Sequence, residues 1–88
     1  GQNAGSVFVN PVPGEITAGQ LIDRCGLRGF RIGSAEVSIK HANFIQADVG
    51  GSAQDIVTLM RHIQRVVGDT SGYELRSEIR LIGFEKES

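Results

Sequence analysis

From Ser52 to Gly68 the chain reads SAQDIVTLMRHIQRVVG, with apolar residues at Ala53, Ile56, Val57, Met60, Ile63 and Val67. Steps of three and four place these side chains on one side of a helix, so the segment reads as an amphipathic helix. Ser52 stands at the N-cap, Asp55 at the capping-box position near the positive end of the helix dipole, and Gly68 where such a helix stops. A helix of this kind needs another layer to cover its apolar stripe, and that requirement sets the fold class.

The rest of the chain supplies the cover. Thr17 with Gln20 forms a capping box, and Ile16 with Leu21 is spaced as the hydrophobic staple around it. Ala18, Leu21, Ile22 and Cys25 form the stripe of a short first helix, about two turns long, that stops at Gly26. Leu27 to Gly33, LRGFRIG, is glycine-punctuated and predicts a loop. Ala35, Val37 and Ile39 alternate with Glu36, Ser38 and Lys40 as in a half-buried strand. His41 and Ala42 connect it to a neighbour over 43–47, and 69–72 reads as a turn. Leu75 to Phe84 predicts a last strand, with Leu75, Ile79 and Leu81 on one face and Arg76, Glu78 and Arg80 on the other.

The chain opens on AGSVFVNP, also a strand. Alternation sends Ser6, Phe8 and Asn10 to one face and Val7 and Val9 to the other, and Pro11 keeps Asn10 extended. Ser6 and Asn10 then lie on the order of 13 Å apart at about 3.3 Å per residue. The order β-α-β-β-α-β predicts an α+β fold, a mostly antiparallel sheet with two helices on one face, and residues 1–88 read as a single domain.

Composition narrows the function. Nine basic and ten acidic side chains give a net charge of −1, which argues against a general nucleic-acid or membrane-surface binder but leaves room for a local cationic pocket. The one cysteine, Cys25, forbids an intrachain disulfide and fits a reducing compartment, so a cytoplasmic location is expected. No run approaches the roughly 18 apolar residues of a membrane helix.

Few residues invite chemistry. Ser6 has no Gly-x-Ser-x-Gly elbow around it, so a hydrolase nucleophile is unsupported. Glu78 between Arg76 and Arg80 is either a solvated charge ladder or a carboxylate presented on a rigid mount. His41 and His62 are the two histidines, with no acidic cluster at ligand spacing, so no metal site is expected. His62 falls on the polar side of its helix and Cys25 on an apolar stripe. The glycines of GFRIGS do not form a dinucleotide fingerprint.

Three segments in this order, AGSVFVNP, AGQLIDRCGLRGFRIGSAEVSIKHANFI and LRSEIRLIG, closely resemble the C-terminal domain of UDP-N-acetylenolpyruvoylglucosamine reductase. This is the FAD enzyme of bacterial peptidoglycan precursor synthesis, also called UDP-N-acetylmuramate dehydrogenase. The resemblance runs from about Asn3 to Gly83, and KHANFI is similar to the branch with the shorter C-terminal domain. It implies reduction of an enolpyruvyl ether with NADPH through FAD. It also implies that Ser6 protonates the carbon next to the carboxylate, that Glu78 stabilises the charge developing there, and that Asn10 contributes to the substrate diphosphate site. By the same resemblance, the segment carrying His41 and Asn43 lies near the substrate cleft, and one of the two is expected to bind substrate. Position 9, usually basic in the family, is Val9 here.

The resemblance further implies a UDP-sugar substrate and, as partners, the FAD-binding domains that precede this segment in the family. The chain by itself is expected to be inactive and to hold no cofactor. Two other readings stay open: a stand-alone small-ligand or RNA-binding module, which would show stacking aromatics on exposed strands, and a piece that contributes only an interface.

Overall fold

A computed structural model describes residues 2–77. Along the chain come β1 (Gln2–Ser6), β2 (Phe8–Val9), α1 (Ala18–Arg24), β3 (Arg31–Ile32), β4 (Ala35–Val37), β5 (Phe44–Ala47), α2 (Ala53–Ser71) and β6 (Arg76–Ser77). The fold is α+β. One sheet has the order β1-β5-β4-β3 and a second pairs β2 with β6, every pair antiparallel. Helix α2 lies against β3 and β4 and touches α1. No helix among the described residues is long and apolar enough to cross a membrane.

Local chemistry explains the helices. Thr17 Oγ1 accepts the Gln20 N–H at 3.0 Å and Gln20 Oε1 accepts the Thr17 N–H at 3.2 Å, the reciprocal capping box expected. Ala18, Leu21 and Ile22 are buried, and Cys25 packs against the core from its edge. On α2 the buried stripe is Ile56, Leu59, Met60, Ile63 and Val67. Leu59, absent from the stripe read in the sequence, is fully buried, while Val57 is only half-buried.

Helix α2 also runs past Gly68, through the residues expected to turn. Its C-cap is Gly72 at φ 80°, whose N–H reaches the Gly68 carbonyl, so the left-handed residue that ends the helix lies four positions later. At the other end Ser52 caps as expected, but Asp55 does not complete a capping box. Its carboxylate accepts the Ser34 N–H at 2.8 Å and the Ser34 hydroxyl at 2.9 Å, and Ser34 Oγ in turn accepts the Ser52 N–H at 2.9 Å. Ser34 thus satisfies the donor a capping box would have taken, and ties the β3–β4 turn to the helix. A Cβ on Gly33, at φ 56°, would run into that carboxylate.

Three strand readings change. LRGFRIG is not all loop, because Arg31 and Ile32 pair with Glu36 and Ala35. Strand β4 stops at Val37, leaving Ile39 68% exposed, because the chain bends at Ile39 and Lys40, just past buried Ser38. The opening segment is two strands in two sheets: β1 pairs with β5 through a register shift between Asn3 and Gly5, and β2 pairs with β6. Phe8 and its neighbour Val7 are therefore both buried while Asn10 is exposed, so the strand does not alternate as expected and Phe8 and Asn10 do not share a face. The face assigned to Ile79 to Phe84 lies outside the described residues.

Bonds from the Ser34 N–H and then its hydroxyl hold the Asp55 carboxyl below its ordinary pKa. A depressed carboxyl stabilises the fold above its unfolded-state value of about 3.9, and that contribution disappears as pH falls through the lower folded value. Asp55→Ala should thus depress the melting temperature most near neutral pH, with the gap to the parent chain closing toward pH 2. A gap that stays constant across thermal melts from pH 7 to pH 2 would show that the charged form is not what matters.

Candidate functional site

The site begins where the chain leaves one sheet for the other. The last rung of the β1–β5 ladder pairs Ser6 with Phe44, and the Val7 N–H then donates to the Asn43 carbonyl at 2.9 Å. At Phe8 the side chain of Asn43 takes over: its Oδ1 accepts the Phe8 N–H at 3.0 Å and its Nδ2 donates to the Phe8 carbonyl at 2.9 Å. A carboxamide presents one acceptor and one donor side by side, so it can stand in for a strand rung across a gap. Both main-chain groups of Phe8 are satisfied although its ring is buried in the core.

Asn10, two residues on, is fixed in a related way. Its Oδ1 accepts the Ala18 N–H at 3.0 Å, which helps close the start of α1. With the oxygen committed, the amide nitrogen becomes the end of Asn10 available to a ligand. Asn10, His41 and Asn43, assigned separately from the sequence, line one open hollow of about 310 Å³ together with Thr17, Gln20, Arg28, Lys40 and Phe44. His41 is exposed and its ring leans on Phe44, with centroids 5.2 Å apart.

The loop that carries His41 is held from two sides. Buried Ser38 accepts the N–H groups of Lys40 at 3.2 Å and His41 at 3.3 Å through its hydroxyl. Arg28 donates to the carbonyls of Ile39 at 2.7 Å and Lys40 at 3.2 Å, while its Nε pairs with Asp23 at 2.7 Å. Sequence reasoning missed both Arg28 and Lys40 as lining residues. Lys40 stands next to His41 in the chain, whereas Arg28 carries no local signal.

Other residues named from the sequence fall elsewhere. Ser6 ends β1, opposite Phe44 and one residue before the crossing at Val7. Glu78 lies outside the described residues. Val9 is 44% exposed and pairs across the ladder with Arg76, so a cation stands on the strand facing it. His62, expected to face solvent, is half-buried and stacked on Phe30 at 4.6 Å, because the Phe30 loop folds over that side of α2. Among the described residues no cluster of His, Cys, Asp or Glu could hold a metal. A second hollow, of about 400 Å³, lies by the end of α2 between Gln64, Asp69 and Tyr73, and contains none of the catalytic or binding residues expected from the sequence.

A sequence profile described as UDP-N-acetylenolpyruvoylglucosamine reductase, C-terminal domain, matches residues 1–82. The UDP-N-acetylenolpyruvoylglucosamine reductase of Synechococcus elongatus is 53% identical over 81 residues, which cover 92% of this chain and 26% of that protein. The protein of the same name from Heliobacterium modesticaldum is 52% identical over the same coverage of 92% and 26%. The crystal structure of UDP-N-acetylenolpyruvylglucosamine reductase from Thermus caldophilus matches with a TM-score of 0.64 and 39% identity, over 86% of this chain and 26% of that one. The chain spans about a quarter of the length of these relatives.

Asn43→Ala strands both main-chain groups of Phe8 and should cost roughly 1–3 kcal/mol in denaturant unfolding. Asn43→Asp should be destabilised as well at pH 7, because a carboxylate would face the Phe8 carbonyl. Its deficit should shrink as the pH falls and the acid regains a donor, since a carboxyl whose folded pKa is raised stabilises below its unfolded value and loses that as pH rises. A deficit for Asn43→Asp that grew relative to the parent chain in acid would contradict the donor role of Nδ2.

Proposed function

The chain belongs to the family of UDP-N-acetylenolpyruvoylglucosamine reductase C-terminal domains, and on that premise we propose that it is the substrate domain of an FAD- and NADPH-dependent reductase. The reaction is conversion of UDP-N-acetylglucosamine enolpyruvate to UDP-N-acetylmuramate, in peptidoglycan precursor synthesis. One observation carries the reading: Asn10, His41 and Asn43 line a single hollow whose charged members among the described residues, Arg28 and Lys40, are both cations. An anionic UDP-sugar is the ligand such a lining favours.

By the family resemblance, FAD and NADPH are assigned to other domains of the parent enzyme, where they would supply the hydride chemistry.

What this chain contributes is binding and a proton. Asn10 offers its amide nitrogen to the diphosphate, and His41 borders the same hollow. Asn43 serves the site mainly by holding Phe8, and through it the approach to Asn10. Ser6 is the proton donor to the carbon next to the substrate carboxylate, mounted on a paired strand one residue before the crossing. A serine hydroxyl is a weak acid, so its proton must be resupplied by a relay or its alkoxide briefly stabilised. Glu78 is the carboxylate that stabilises charge developing during the reaction. The RNA-binding reading has less support, since Phe8 is buried and Phe30 is stacked on His62 rather than splayed on a sheet face.

Ser6→Ala in the parent enzyme separates the two halves of the reaction. Loss of a positioned general acid costs typically ~10²–10⁴-fold in rate. Stopped-flow measurement should find flavin bleaching by NADPH nearly unchanged and reoxidation by the UDP substrate slowed by that factor. Equal slowing of both halves would mean that Ser6 only supports the strand.

A further inference from the structure

We propose that Lys40 is the cation that engages the diphosphate of the substrate, and that Ser38 and Arg28 are positioning residues that hold it there; the proposal rests on the substrate-domain reading above. The chain as a whole is slightly acidic, with a net charge of −1, yet among the described residues no carboxylate lines the hollow that contains Asn10. Of its two full cations, Arg28 is committed to Asp23 and to the carbonyls of Ile39 and Lys40. Lys40 is exposed, and its ammonium has no hydrogen-bond or ion-pair partner among the described residues.

An exposed lysine on a slack loop would be an ordinary surface charge. This loop is not slack. The N–H groups of Lys40 and His41 end on the buried Ser38 hydroxyl, and the carbonyls of Ile39 and Lys40 end on the Arg28 guanidinium. With its main chain tied on both sides, Lys40 loses less freedom on binding a ligand than a lysine on a free loop, which favours affinity. In the same hollow, Asn10 has its oxygen fixed on Ala18, leaving its amide nitrogen as donor. A lysine and an amide donor lining one hollow suit a phosphate-class anion, for which lysine acts as a point charge.

The test is performed on the parent enzyme with two inhibitors, UDP and uridine, which differ by the diphosphate alone. Lys40→Met, at an exposed position, should weaken UDP by roughly tenfold or more, as loss of a charge-assisted contact implies, while uridine inhibition stays within about twofold. The loss should be smaller at high salt. Ser38→Ala should weaken UDP while leaving uridine unchanged, and Ser38→Thr, which keeps the hydroxyl, should restore it. Unchanged UDP inhibition in Lys40→Met, or equal weakening of UDP and uridine, overturns the assignment of Lys40. A parent enzyme that neither binds UDP nor reduces the UDP-sugar overturns the substrate-domain reading, and this proposal falls with it.

Discussion

The carboxamide of Asn43, closed on both main-chain groups of Phe8, is the contact on which the rest of the site depends. The opening segment must leave the four-stranded sheet, bury Phe8, and join β6 in another sheet within a few residues. A chain changing partners in the interior exposes N–H and C=O groups to an apolar surround, where each unsatisfied group is expensive. Asn43 supplies the missing rung at that point. The path to Asn10 is then set, and Asn10 in turn bonds the first turn of α1, so two asparagine side chains connect sheet, crossing and helix.

How far this could be read in advance differs by element. The capping box at Thr17 and Gln20 and most of the buried stripe of α2, though not Leu59, were legible, because each depends on residues three or four apart. The crossing at Val7 was not, because the bonds that cause it link residues 35 apart and leave no trace in local alternation. Asp55 shows the same limit: a carboxylate in a first helical turn can take its own cap or a distant serine, and Ser34 wins with two donors. Gly68 marked a false end for α2, since only a left-handed glycine, here Gly72, ends a helix in that way. Within the site, Asn10 and His41 were named by motif, while their neighbours Arg28 and Lys40 became evident only from the hollow they share.

Charge is arranged locally rather than globally. Arg31 pairs with Asp48 through two bonds, and this contact holds the Asp48 carboxyl below its ordinary pKa. Arg28 is turned inward to loop carbonyls. Of the charged side chains that line the hollow among the described residues, Lys40 is the one without a partner. That division fits the proposed task of the domain, to hold an extended anionic ligand, since turnover would depend on placing both ends of the substrate at once.

The most direct measurement of the central claim is amide hydrogen exchange at Phe8, read by NMR in the native chain. If Asn43 supplies a true rung, the Phe8 amide should be protected to within ~tenfold of Leu59 in the middle of α2, since both would then open with the core. The Ala18 amide, bonded to Asn10, should be slowed as well. A Phe8 amide exchanging as fast as those in the exposed turn at Val49 and Gly50 would contradict the account, because the chain would then cross between sheets without the contact said to hold it.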